Sequence, residues 1–197
     1  MSDWLNGVKV PPLNIDQIRQ LTSSIRNSSG VAPVHPFPVL WFLETAMPQG
    51  LRGFDWEVDE TLPQRVEACA FPDGCRENPE GPYIKVRPEV YEAACADDGR
   101  ARLTLLHECG HVLLHGKVAV HPRKEAIPAA VLRPFENSEW QANTFAAELL
   151  MPPQSFKEAK ALPEFCRRMG VSFAAARTQG RKLIRRKEIP AHTWLAA

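Results

Sequence analysis

The chain has 197 residues, enough for one substantial core or one domain with a small appendage, and its 44% apolar and 24% charged residues match a folded, soluble protein. Wholesale disorder and fibrous classes are excluded, and no apolar run approaches the roughly 18 residues needed to cross a bilayer. The net charge of +1 hides an asymmetry: residues 1–150 carry 14 Lys/Arg against 20 Asp/Glu, a net of −6, and residues 151–197 carry 10 against 3, a net of +7.

The N-terminal MSDWLNGVKVPPLN has no basic segment followed by an apolar one, so nothing in it directs export and a cytoplasmic location is expected. Five cysteines form an odd set without a C-x-x-C pair, which argues for free thiols rather than a disulfide framework or a thiolate metal site.

In chain order, Asn14 followed by Gln17 reads as a capping box, and Ile15, Ile18, Leu21 and Ile25 recur at helical spacing, predicting a helix over 15–27. A Pro-rich stretch ends it, and a short helix over 39–46 is expected to stop near Pro48. Between 50 and 92, FDWEVDE, RVEACAF and PYIKVRP alternate like strands and are separated by turn clusters. They predict a small antiparallel or mixed sheet of about three strands.

A strong helix is expected over 100–115, with Gly116 as its terminator, and a second over 138–150, with Ser138 as its cap and Met151-Pro152-Pro153 as its end. Short helices should follow over 154–160, 163–169 and 173–186.

The first strong helix carries Leu105-Leu106-His107-Glu108-Cys109-Gly110-His111-Val112-Leu113-Leu114-His115. Residues four apart share a helix face, so His107 and His111 can turn ring nitrogens toward one ion. Glu108 then stands where a carboxylate can act as general base on water without binding the metal itself. Cys109 points away from that face and reads as a buried thiol.

A catalytic zinc site needs a third protein ligand. A metzincin would place a histidine where Lys117 stands, so that class is excluded. His115 lies too far along, since three histidines on successive turns span about 12 Å; its expected role is to finish the helix. Glu139, at the start of the second strong helix, is the best-placed ligand, with Glu136 and Glu125 as loop alternatives that spacing leaves open. Candidate oxyanion donors are His121, Arg133 and Tyr83.

Together, RLTLLHECGHVLLH (102–115) and EWQANTFAAELLMP (139–152) resemble the two signatures of the ImmA/IrrE family of metallopeptidases. Leu103, Leu106 and Cys109 depart from the usual residues but stay apolar, and Gln141 stands where many relatives have a second Glu. The resemblance implies an α+β, zincin-like metallopeptidase domain whose small sheet packs on the motif helix. It implies Zn2+ as cofactor, with Mn2+ or another divalent ion as an alternative, held by His107, His111 and Glu139. Glu108 is implied as the catalytic base, with Asn143 orienting a ligand by hydrogen bonding.

The resemblance further implies a protein substrate, a helix-turn-helix repressor encoded nearby whose cleavage starts a stress, phage or mobile-element response. The competing functions are a non-hydrolytic protein- or DNA-binding regulator on the same fold and a toxin–antitoxin component.

The expected organisation is a peptidase domain over 1–153, with 1–14 as an N-terminal arm, followed by a basic helical segment over 154–197. Residues 165–177 have the helix, glycine turn and Val-Ser start of a helix-turn-helix unit. Arg177, Arg181, Lys182, Arg185 and Arg186 are candidate nucleic-acid contacts, although a buttressing helix with a solvated basic face is the favoured reading. No membrane partner is expected.

Overall fold

The computed structural model describes residues 7–116 and 132–191. Helix α1 (Ile15–Ser28) begins with the expected capping box: Asn14 accepts from the Gln17 backbone N–H, and the Gln17 side chain accepts from the Asn14 N–H, both at 2.9 Å. Its buried face includes Ile18, Thr22 and Arg26.

The next helical run departs from expectation by continuing through Pro48. It consists of α2 (Val39–Trp41), a π-helical segment (Phe42–Ala46) and α3 (Met47–Gly50). The physical reason is the wide turn just before the proline. Met47 N–H reaches back to Phe42 O in i→i−5 fashion, and Pro48 follows this widened turn at the start of α3, where a residue without an N–H is tolerated.

Strands β1 (Asp55–Val58), β2 (Ala68–Phe71) and β3 (Tyr83–Val86) form a mixed sheet in the order β1-β3-β2. β1 lies parallel to β3, pairing Asp55 with Tyr83 and Val58 with Val86; β2 is antiparallel to it, pairing Ala68 with Val86 and Phe71 with Tyr83. Central β3 supplies the sheet's fully buried residues, Ile84 and Val86.

A helix that the strand pattern of 50–92 obscured follows at once. α4 (Pro88–Cys95) starts on Pro88, whose fixed φ suits a first turn and which has no N–H to lose there.

Helix α5 (Gly99–His115) is capped by Asp98, whose carboxylate accepts from the Arg100 and Ala101 N–H groups at 2.9 and 2.8 Å. Helix α6 (Ser138–Leu150) packs against it. The α6 cap is Asn137, accepting from Trp140 N–H at 3.1 Å, and not Ser138 as expected. Ser138 has a different employment, its hydroxyl and N–H holding Val8 N and O at 3.0 Å and so pinning the N-terminal arm.

Helices α7 (Pro153–Lys157), α8 (Leu162–Met169) and α9 (Phe173–Arg185) complete the chain's described part. The architecture is the α+β arrangement expected, with a three-stranded sheet against α5.

One apolar cluster runs from Ile18 through Ile84, Leu105, Phe145 and Leu149 to Phe165, Met169, Ala176 and Leu183, so α8 and α9 share the core of α1, α5 and α6. Polar ties reinforce that sharing. Glu148, 1% exposed, accepts from Arg19 Nε at 2.8 Å, from Arg19 Nη2 at 3.2 Å and from Gln179 Nε2 at 2.9 Å. One buried carboxylate of α6 is thereby satisfied from α1 and α9 together. At the far end of α5 a Cβ on Gly99 would stand 2.5 Å from Val171 and Ser172, so only glycine lets the α8–α9 turn sit there.

Among the described residues no helix is long and apolar enough to cross a membrane.

Candidate metal centre

The site is assembled by the close approach of α5 and α6. Gly110, between the two motif histidines, lies so near α6 that a Cβ would come within 3.0 Å of the Phe145 ring and 3.2 Å of Ala142 Cα. A helix-interior glycine costs roughly 1 kcal/mol relative to alanine, and here that cost is offset by bringing the first turn of α6 against the histidine face of α5.

Glu139 stands in that first turn, where the helix dipole favours a carboxylate. Its Oε2 is 3.2 Å from His107 Nε2 and its Oε1 3.2 Å from His111 Nε2, while the two imidazole nitrogens are 3.0 Å apart. His107, His111 and Glu139 are all partly open to solvent, and they are the group of potential metal ligands that converges among the described residues.

The donor set fits a small divalent cation. Bonds of 2.0–2.1 Å in a tetrahedral site place donor atoms about 3.3 Å apart, and the three separations here are close to that edge length. Two imidazoles and one carboxylate are zinc-type donors that leave a coordination position for a reacting group.

The electrostatics agree with the geometry. Burial works to raise the Glu139 carboxyl, but hydrogen bonds and charge from both histidines outweigh it and bring the pKa to about 2. For His107, burial opposes the charged ring, while the Glu139 hydrogen bond, the Glu108 and Glu139 charges and the Asn143 side chain together raise its pKa. Asn143, one turn along α6 from Glu139, thus meets His107.

Glu108 is 8% exposed, and burial pushes its carboxyl above the ordinary value against the pull of His107 and His111. The backbone N–H of Ala70 in β2 bonds the carboxylate, so the motif's acidic residue faces the sheet beside the histidine pair. Nothing in the sequence pattern marks Ala70 for that part.

Cys109 is fully buried, its thiol pushed far up by burial, and is not among the converging groups.

His115 is the last residue of α5, as expected, and has a further employment. It is 5% exposed, with Nδ1 3.1 Å from His111 Nδ1 and Nε2 3.1 Å from Gln141 Oε1. Burial, followed by the neighbouring His111, lowers its pKa to about 4. Gly116 caps the helix as expected, in an extended conformation with φ −64° and ψ 136°. The i, i+4 spacing from His111 to His115 was the signal for this contact, whereas nothing announced Gln141 as its partner.

Of the alternative ligands, Glu136 is engaged with Lys9 at 3.4 Å and Glu125 lies outside the described residues. Of the candidate oxyanion donors, Tyr83 bonds Glu57 on β1, Arg133 lies over the Phe135 ring with 6.0 Å to its centroid, and His121 is also outside the described residues. Among the proposed nucleic-acid contacts, Arg181, Arg185 and Arg186 are exposed, and Arg177 and Lys182 are half-buried.

No curated protein matches the chain. A solved structure of a Mycobacterium tuberculosis transcriptional regulator is similar over 82% of this chain, at 16% identity and a TM-score of 0.46; the match covers 45% of that chain's length. The profile of the Peptidase M78 family, the IrrE N-terminal-like domain, matches residues 73–178, which include β3, α4, both site helices and the turn into α9. With more than half of its length so matched, the chain belongs to the Peptidase M78 family.

Proposed function

We propose that this chain is a zinc-dependent endopeptidase that cuts one protein substrate, a helix-turn-helix repressor encoded nearby, and thereby releases a stress, phage or mobile-element response. The observation that carries the reading is the convergence of His107, His111 and Glu139 within 3.2 Å beside the buried carboxyl of Glu108. Membership of a peptidase family supports the reaction class. The repressor comes from the resemblance of the two motifs to ImmA/IrrE proteins.

His107, His111 and Glu139 would hold the ion, with Zn2+ the best match to the donors and Mn2+ a weaker one. When bound, it supplies Lewis-acid polarisation of the scissile carbonyl and acidifies water.

The chain's own residues do the rest. Glu108 takes the proton of the attacking water and passes it to the leaving amine nitrogen, with the Ala70 N–H aiming its carboxylate. Asn143 steadies His107. β2 has a strand partner on one side only among the described residues, so its other edge offers backbone groups to an extended substrate segment passing Glu108.

In this reading residues 1–153 are the peptidase unit, 1–14 its arm, and 154–197 a basic helical buttress. The bond from Gln179 to Glu148 and the seating of Val171–Ser172 on Gly99 support the buttress over a DNA-reading module.

Co-expression with the neighbouring repressor tests the reading. Wild type should cut it, and Glu108→Gln should cut at least about a hundredfold more slowly while keeping its metal. Equal cutting by both would rule out Glu108 as the base, and an intact repressor with active peptidase on other substrates would rule out that partner.

A further inference from the structure

Behind the metal face, away from Glu139, a line of buried polar groups runs from the N-terminal arm to a proposed ligand. Gln141 is fully buried, and its amide nitrogen donates to Pro11 O and to Phe135 O, each at 2.8 Å. The amide orientation is fixed by this, because the flipped form would set Oε1 against two carbonyl oxygens that can only accept. Oε1 must therefore be the atom facing His115.

The consequence propagates through two rings. His115 Nε2, 3.1 Å from Gln141 Oε1, has only an acceptor in front of it and so carries the proton. His115 is buried and, among the described residues, neither ring nitrogen has a carboxylate partner, so the neutral ring has its lone pair on Nδ1. His111 Nδ1, 3.1 Å away, must then be the donor. A neutral imidazole with its proton on Nδ1 has its lone pair on Nε2, the nitrogen that points at His107 and Glu139; a second proton held there by the Glu139 carboxylate is the one an ion displaces.

We infer that Gln141 and His115 are positioning residues that keep a proton on Nδ1 of His111, so that Nε2 is the nitrogen left to bind the ion. The inference rests on the metal-site reading given above, and it adds two residues to it. Gln suits its position for a definite reason: only an amide can satisfy two carbonyls and still turn an acceptor to His115, which a carboxylate cannot do. The arm joins the centre by the same route, through the Pro11 carbonyl.

Two-bond 1H–15N correlation spectra of the zinc-free protein, labelled on histidine, read which ring nitrogens hold protons and need no substrate. The expected result is a protonated Nδ1 on His111, with a bare Nδ1 and a protonated Nε2 on His115. A bare Nδ1 on His111 would overturn the inference whatever the variants do.

Zinc affinity by chelator competition supplies the second readout. His115→Phe should weaken binding about 10- to 100-fold, and His115→Gln, whose amide can accept from His111 and donate to Gln141, should recover most of the loss. A folded His115→Phe that binds like wild type overturns the inference, as does a His115→Gln no better than the Phe variant. Should the Phe variant not fold, the wild-type spectra decide alone. Neither readout involves turnover, so a failed relay leaves the repressor-cleavage test standing, and a wild type that binds no zinc sinks the site reading and the relay together.

Discussion

Two helix pairs, α5–α6 and α8–α9, are built from similar material and use it in opposite ways. Each has a glycine at a tight place: Gly110 lets α6 approach α5, and Gly170, at φ 61°, turns α8 into α9. Across α5–α6 the polar groups are turned inward, with Glu108, His115 and Gln141 all buried between or beside the helices. In α8–α9 the inward positions are Leu162, Phe165, Met169, Ala176 and Leu183, while Arg167, Arg181, Arg185 and Arg186 face solvent. The strongest charge in the sequence therefore lies where its electrostatic work is weakest, and the modest polar content of α5–α6 lies where burial magnifies it.

The exception in the second pair is Gln179, which reaches Glu148 on α6, and it gives the largest expected effect on stability. Glu148→Ala leaves the buried Gln179 amide without its acceptor and Arg19 with Glu188 at 2.7 Å as its main remaining partner, which should cost about 3 kcal/mol, or a Tm lowered by roughly 6–12 °C. Calorimetry showing a loss under about 1 kcal/mol in the variant would mean that Glu148 does not tie the second pair to α6.

Next in size is Gly110→Val. Its side chain would meet Phe145 and Ala142, so a destabilisation of about 2 kcal/mol is expected from overpacking. Zinc retention should fall further than stability does, because Glu139 is carried by the helix that is pushed away. A variant that melts early yet binds zinc normally would show that the close approach serves packing alone.

Smallest is the double change Arg185→Glu, Arg186→Glu. Both residues are exposed, and chemical denaturation should register within about 0.5 kcal/mol of wild type. A loss above about 2 kcal/mol would mean that the basic face is part of the fold rather than its solvated side.

Much of this was legible in the chain itself. The capping box of α1, the three strands and the two motif helices are local signals, each read from a handful of adjacent residues. The convergence of His107, His111 and Glu139 was legible only because two separated motifs were read together.

What escaped was set by tertiary context. Pro48 inside a helix depends on a π-turn that no propensity announces. α4 was hidden by the strand-like residues before it. The cap of α6 fell on Asn137 because Ser138 is taken by the arm, a contact between residues 130 apart. His115 ends α5 as read, but its partner Gln141 lies on another helix and went unseen, and Glu148 gave no sign that α1 and α9 would both reach it.

The most direct measurement of the central claim is the metal content of protein purified and loaded with zinc, for wild type and for Glu139→Ala. One zinc per chain in wild type and little in the variant is the result that His107, His111 and Glu139 predict as a ligand set. Undiminished zinc in Glu139→Ala would contradict it.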